Sequence, residues 1–143
     1  MSRPNILFIT LEQWRGDCLG SAGHPVVETP NLDRLAAEGT RFTQFYAGHC
    51  VCAPSRCVLM TGYHTGHCST RVNGGGAPLL DSDVTLAEVL KGAGYATAIA
   101  GKWQLGKFDE FPNQPVEHGF DEYCMWTWVY KGKKSSRYYG PQI

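Results

Sequence analysis

The chain has 143 residues, with 13 basic and 13 acidic side chains and therefore no formal net charge. Its hydrophobic content of 43% and charged content of 18% exclude an intrinsically disordered chain. This length fits one domain, and the neutral charge balance gives no electrostatic footprint for nucleic acid or an anionic membrane. We therefore expect an ordered domain that binds neither nucleic acid nor membrane.

The cysteines and the first residues bear on the cellular compartment. Six cysteines are present, which would allow three disulfides in a secreted protein. The apolar stretch after Met1 is too short for a signal peptide and lacks a small-residue cleavage site. We therefore expect a cytoplasmic protein with mostly reduced thiols.

The first third of the chain predicts a strand, a helix and a second strand. Residues 5–10 form a continuous apolar run, which is typical of a strand buried on both faces. Thr29 followed by Pro30 predicts an N-cap and a first helical residue, and Gly39 ends that helix. Residues 41–46 alternate polar and aromatic side chains, as a short strand would.

The next segments predict two more helices and a strand. Pro54 favours the start of a helix that runs to residue 60 and is closed by Gly62. Thr85 and Glu88 have the spacing of a capping box at the start of another helix. The residues predicted for its buried face are Leu86, Val89 and Leu90. Residues 95–100 predict a second buried strand, and the order of elements implies an α/β fold with a parallel sheet.

Polar residues follow both buried strands, where functional groups collect in open parallel sheets. Glu12 and Gln13 come after the first strand, and Lys102 and Gln104 come after the last. Carboxylate and amide oxygens suit a hard cation such as Ca²⁺ or Mg²⁺, so Glu12 and Gln13 are candidate metal ligands. A solvated turn remains the alternative for both groups.

Cys52 lies beside the predicted helix that begins at Pro54. The positive end of the helix dipole and the unpaired backbone N–H groups there favour an anion, and Arg56 can bind an oxyanion. A structural cysteine beside a surface arginine is the alternative. A zinc site is a third possibility, disfavoured because no Cys-x-x-Cys pair occurs among its candidate ligands: His49, Cys50, Cys52, Cys57, His64, His67 and Cys68.

The segment from Cys52 to Gly62 resembles the sulfatase signature, Cys-x-Pro-Ser-Arg followed by a short apolar helix and Thr-Gly. Other segments resemble this family in the same order: residues 3–9, 29–39, 94–103 and 118–121. The resemblance implies a parallel-sheet α/β/α sandwich of the alkaline-phosphatase-like type. Because that fold needs several hundred residues, it also implies that residues 1–143 are the N-terminal part of a sulfatase catalytic domain.

The resemblance also implies an activity and its cofactors. In sulfatases a formylglycine-generating enzyme oxidises the signature cysteine, here Cys52, to formylglycine. The hydrated aldehyde then attacks a sulfate ester of a small molecule or saccharide, assisted by Ca²⁺ or Mg²⁺. By this resemblance Arg56 holds the formylglycine, Lys102 binds a sulfate oxygen, and Glu12, Gln13 and the residue at Cys52 contact the metal.

Two residues depart from the family pattern and leave alternatives open. Glu12 stands where the family has aspartate, and Gln104 stands where the second signature ends in histidine. An amide can hydrogen-bond sulfate but cannot shuttle a proton, which also allows an inactive sulfatase-like binding module. Residues 12–17 resemble a segment of phosphonate monoester hydrolases, so phosphonate or phosphate ester hydrolysis is the alternative activity.

Overall fold

The computed structural model describes residues 3–73, 78–106, 114–126, 129–130 and 133–134. The helices are α1 (Pro30–Glu38), α2 (Cys52–Thr61), α3 (Leu86–Gly92) and α4 (Gln114–Glu117), and a short 3₁₀ turn covers Gly20–Ala22. The strands are β1 (Ala98–Lys102), β2 (Glu122–Trp126), β3 (Val129–Tyr130) and β4 (Lys133–Lys134). The chain forms two compact units, Met1–Phe45 and Tyr46–Ile143. Within the described ranges, no helix has the length and apolar character needed to cross a membrane.

The helix predicted from Thr29 and Pro30 is confirmed as α1, with Gly39 as its C-cap residue. Proline suits the first helical position because its fixed φ is already helical and its missing N–H has no partner to lose. The Thr29 hydroxyl does not cap a backbone N–H of the helix as predicted. It donates instead to the Asp33 carboxylate, with an O–O distance of 2.8 Å.

The strands predicted at residues 5–10 and 41–46 are wrong, because neither segment has regular secondary structure. Ile6, Leu7 and Phe8 are 56%, 85% and 59% exposed. A strand needs a neighbouring strand for its backbone hydrogen bonds, and no strand of the described ranges pairs with either segment. The sequence pattern shows that these residues would suit a strand. Whether another strand lies beside them depends on the tertiary fold, which the pattern does not encode.

A two-stranded parallel sheet confirms the α/β class. β1 pairs with β2 in parallel, with Ala98 opposite Glu122 and Lys102 opposite Trp126. β1 overlaps the strand predicted at residues 95–100, but none of its five residues is fully buried, because it pairs along one edge only within the described ranges. β2 was not predicted. A separate antiparallel pair joins β3 and β4.

The capping box predicted at the start of α3 is confirmed. The Thr85 hydroxyl accepts the Glu88 N–H at 3.2 Å, and the Glu88 carboxylate accepts the Thr85 N–H at 2.7 Å. The same hydroxyl donates to the carbonyl oxygen of His118 at 2.7 Å in a buried position. One side chain therefore caps α3 and ties it to the turn that precedes β2.

The face of α3 that packs inward differs from the prediction. Ala87 is buried and the predicted Leu90 is partly buried, whereas Leu86 and Val89 are 40% and 58% exposed. The turn at Gly119 lies so close to α3 that a Cβ added there would be 2.5 Å from the Glu88 nitrogen, and Gly119 also has a φ of +93°. This close approach of the two backbones requires glycine at residue 119.

The core of the second unit is made from α2, α3, the ends of β1 and β2 and the loops between them. Its buried members are Cys57, Cys68, Leu79, Ala87, Trp103, Leu105, Phe120 and Met125. The rings of Trp103 and Phe120 pack edge to face with centroids 5.9 Å apart. Because Trp103 directly follows β1, its burial fixes where the chain leaves the sheet.

Asp121 joins the turn before β2 to α3 and to the segment before β1. Its carboxylate accepts the Thr97 N–H at 2.9 Å and lies 2.6 Å from the Lys91 ammonium nitrogen. The hydrogen bond from Lys91, followed by that from the Thr97 backbone, lowers the pKa of Asp121 from 3.8 to about 2. The ionised carboxylate is therefore favoured in the folded chain.

We expect Asp121→Asn to lower the melting temperature at neutral pH and to flatten its decline in acid. Because the folded-state pKa of Asp121 lies below the unfolded value, its stabilisation is present above about pH 4 and is lost as the pH falls toward 2. Thermal unfolding followed between pH 2 and 7 measures this. Asp81→Asn, at an exposed position, is the control. Identical pH dependence in wild type and Asp121→Asn contradicts the prediction.

Candidate active site

Helix α2 begins at Cys52, two residues before the predicted start at Pro54. Val51 precedes it in an extended conformation, and Gly62 ends it with a left-handed φ of 72°. Cys52 is therefore the first residue of a ten-residue helix and is partly buried. The positive end of the helix dipole favours negative charge at this position.

The first turn of α2 offers fewer backbone N–H groups than expected. Pro54 has none, and the Ala53 N–H donates to the side-chain oxygen of Asn73 at 2.8 Å. The expectation of several unpaired N–H groups beside Cys52 is therefore wrong. Asn73 was not predicted because it lies 20 residues from Ala53, outside the reach of local capping rules.

We expect Asn73→Ala to destabilise the chain by about 1–3 kcal/mol, because it leaves the N–H of buried Ala53 without its acceptor. Urea unfolding measures the loss. Asn73→Asp is the matched control, since it keeps an acceptor and places a negative charge near the start of a helix. Equal losses in the two variants would show that the hydrogen bond is not what stabilises the turn.

Arg56 connects α2 with the end of β1. It lies four residues after Cys52 and therefore shares a face of the helix with it. Its Nη1 donates to the main-chain oxygen of Lys102 at 2.6 Å, in a partly buried contact. The structure thus brings Cys52, Arg56 and Lys102 into one region of the second unit.

Gln104 and Gln13 share an unusual backbone conformation. Their φ angles are 57° and 54°, and they are the two non-glycine residues with positive φ in the described ranges. Such a conformation costs about 1–3 kcal/mol and is found preferentially at functional sites. The side-chain oxygen of Gln104 is also buried and has no hydrogen-bond partner among the described residues. This oxygen can accept a hydrogen bond from a ligand.

Glu12 and Gln13 lie in an exposed turn of the first unit. Close by in sequence, Arg15 forms an ion pair with Asp17, donating from Nε at 2.9 Å. The hydrogen bond from Arg15 lowers the pKa of Asp17. Asp17 is therefore held by an arginine, and Glu12 and Gln13 remain the candidate cation ligands of this segment.

The metal-binding side chains of the described ranges do not form a cluster. Over the part of the chain that the structure describes, no group of three or more His, Cys, Asp or Glu side chains could hold a metal ion. The rings of His64 and His67 instead pack edge to face, with centroids 4.6 Å apart. The zinc alternative therefore gains no support from the described geometry.

Solved structures define the class of fold. The chain is similar to a structure described for glycosaminoglycan metabolism by Bacteroides thetaiotaomicron, with a TM-score of 0.66 and 35% identity over 76% of this chain and 25% of that one. It is equally similar to the phosphonate monoester hydrolase of Agrobacterium radiobacter, with a TM-score of 0.66 and 34% identity over 86% of this chain and 25% of that one. The fold is α/β of the alkaline-phosphatase-like type, which confirms the predicted class.

The family model for sulfatases matches residues 4–143. The chain belongs to the sulfatase family. It is 44% identical over 133 residues to N-acetylgalactosamine-6-sulfatase of Sus scrofa, covering 84% of this chain. It is 46% identical over 129 residues to arylsulfatase A of Bos taurus, covering 85% of this chain. The match spans about 25% of the length of each relative.

Proposed function

We propose that this chain contributes to the hydrolysis of a sulfate ester, with Cys52 converted to formylglycine by a formylglycine-generating enzyme. The observation that carries the proposal is the position of Cys52 at the start of α2, one turn from Arg56, which is bound to the end of β1. This arrangement places positive charge beside a residue of the family's signature. The names of the relatives, N-acetylgalactosamine-6-sulfatase and arylsulfatase A, support a sulfate ester as substrate.

The proposal requires a formylglycine and a divalent cation, and the described residues fit these two groups to different degrees. Cys52 is partly buried at a position that favours negative charge, which suits a formylglycine and an anionic ester. The hydrated aldehyde would supply an oxygen nucleophile, and a divalent cation would polarise the ester. Glu12 and Gln13 would hold that cation, because Ca²⁺ and Mg²⁺ accept carboxylate and amide oxygens.

The other residues bind and orient the sulfate group. The hydrogen bond from Arg56 to the Lys102 carbonyl fixes the guanidinium beside the first turn of α2, where its charge stabilises an anion. The Lys102 ammonium donates to a sulfate oxygen. The Gln104 amide can donate a further hydrogen bond, but it cannot accept and release a proton at working pH.

We propose further that these 143 residues supply only part of the active site. Glu12 and Gln13 provide two oxygen donors, whereas Ca²⁺ takes about six to eight. The chain also matches about 25% of the length of its relatives. We therefore expect weak Ca²⁺ binding and no measurable aryl sulfate hydrolysis by this chain alone. Robust metal-dependent turnover by the 143-residue protein contradicts this part of the proposal.

Peptide mass tests the modification without requiring turnover. The chain is produced together with a formylglycine-generating enzyme and digested with trypsin, which releases residues 42–56 with Cys50 and Cys52 in one peptide. Conversion exchanges one sulfur and two hydrogens for one oxygen, and fragmentation assigns the change to Cys52. Cys50 is an internal control that should remain a thiol. An unmodified Cys52 contradicts the proposal and favours the inactive binding module.

Matched esters test the reaction class. We expect the active enzyme that contains this chain to have a higher kcat/KM for an aryl sulfate than for the corresponding phosphonate ester. A preference for the phosphonate would instead support the activity named for the hydrolase of Agrobacterium radiobacter, which has the same fold.

A further inference from the structure

Two cysteines outside the proposed site lie together in the core. Cys57 is on the second turn of α2 and Cys68 follows that helix, and their exposed fractions are 0% and 1%. Both belong to the same hydrophobic cluster. None of the six cysteines, all of which lie in the described ranges, forms a disulfide in this structure. The pair has no part in the function proposed for Cys52.

The segment that contains Cys68 packs against Cys57. The Cys68 thiol donates to the carbonyl oxygen of Thr70 at 3.1 Å. The Cys57 sulfur lies 3.7 Å from the hydroxyl of Ser69, the neighbour of Cys68 in sequence. Burial, followed by the proximity of Cys57, raises the pKa of the Cys68 thiol. The pair is thus held close but is slow to react while reduced and buried.

We propose that Cys57 and Cys68 are a disulfide-forming pair that ties α2 to the segment after it when a disulfide oxidant is supplied. With oxidised glutathione, one cysteine thiolate attacks a glutathione sulfur and displaces one reduced glutathione. The second cysteine then attacks the mixed disulfide and displaces the other glutathione. Two electrons pass from the cysteines to glutathione, and the two thiol protons end on two reduced glutathione molecules.

The helix geometry keeps this bond away from the proposed catalytic residue. Cys57 lies five residues after Cys52, which places the two side chains about 140° apart around the axis of α2. The bond therefore forms on the core side of the helix. It fixes the orientation of α2 without consuming the thiol of Cys52.

Trypsin gives a sharp readout, because cleavage after Arg56 and Arg71 releases residues 57–71 with these two cysteines and no others. We expect oxidised glutathione, under conditions that keep the chain folded, to yield this peptide two hydrogens lighter and resistant to N-ethylmaleimide. After reduction the peptide should take up two N-ethylmaleimide groups. We also expect the melting temperature to rise by roughly 5–10 °C and to return after dithiothreitol.

Variants distinguish the Cys57–Cys68 disulfide from oxidation at the other cysteines. Cys57→Ser and Cys68→Ser should each abolish the thermal shift, whereas Cys124→Ser, at an exposed position, should retain it. If either core variant does not fold, the peptide from the wild-type chain still decides the question. The proposal is overturned if residues 57–71 keep two alkylatable thiols at an oxidant concentration that modifies the exposed Cys50. A disulfide between Cys50 and Cys52 with no bond at residues 57 and 68 also overturns it.

Discussion

We expect Cys52→Ala to abolish the proposed sulfate ester hydrolysis in an active enzyme that contains these residues, with kcat falling by at least about 10⁴-fold. The reason is chemical, because alanine has no sulfur to oxidise and so cannot provide the nucleophile. Alanine is also a strong helix former, so α2 should still begin at residue 52. The measurement is kcat for an aryl sulfate at saturating Ca²⁺, with the melting temperature as a check on folding.

Cys50→Ala is the matched control for this experiment. Cys50 is exposed and lies two residues before Cys52, outside the helix. Its replacement should leave kcat unchanged. If Cys52→Ala keeps kcat within tenfold of the unchanged enzyme, the nucleophile is another group and the proposed role of Cys52 is wrong.

We expect Gln104→His to raise kcat for the proposed reaction by roughly 10–100-fold in the same enzyme. Glutamine can hydrogen-bond a sulfate oxygen, but histidine can also give and take a proton near neutral pH. The left-handed backbone at residue 104 tolerates the change, because histidine is enriched in that conformation among non-glycine residues. The substitution should also add a titration to the pH–rate profile near the ordinary histidine pKa of about 6.5.

Gln104→Asn distinguishes proton transfer from relief of backbone strain. Asparagine also adopts the left-handed conformation readily, yet it retains an amide. It should leave both kcat and the pH profile close to those of the unchanged enzyme. Equal acceleration by histidine and asparagine would mean that strain at residue 104, and not the missing proton carrier, limits the rate.

Most local signals in the sequence were reliable where one turn of helix contains both partners, although the predicted Thr29 cap of α1 is absent because its hydroxyl donates to Asp33. The capping box joins Thr85 and Glu88 across three residues and is present as predicted. The predictions of a proline at the start of α1 and of a glycine at the end of α2 are also confirmed. These features depend on backbone geometry within a few residues, so the sequence contains all the information they require.

The other failures lie where the partner is distant in sequence. The apolar run at residues 5–10 indicates that a strand would suit those residues, but the pattern contains no information about a neighbour to pair with. Strand β2 was missed although it pairs with β1 along its whole length. The inner face predicted for α3 was also wrong at Leu86 and Val89, which are exposed, whereas Ala87 is buried.

The candidate site depends both on local sequence signals and on contacts between residues that are distant in sequence. Cys52 and Arg56 share a helix face, so their proximity follows from sequence spacing alone. The contact between Arg56 and Lys102 spans 46 residues, and Lys102 was assigned to the site by the rule that functional groups collect at strand ends and by the resemblance to sulfatases. Asn73 was found in the structure alone, because its role depends on a loop fold that no local pattern encodes.

The close packing of Gly119 against α3 has a consequence for how this protein tolerates mutation. Any side chain at residue 119 would collide with the backbone at Glu88 and would adopt a φ that only glycine takes easily. That collision would separate α3 from the turn that Thr85 holds through His118, and so disturb the start of β2. In a screen of random variants, position 119 should therefore be as intolerant as Cys52, although it has no chemical role.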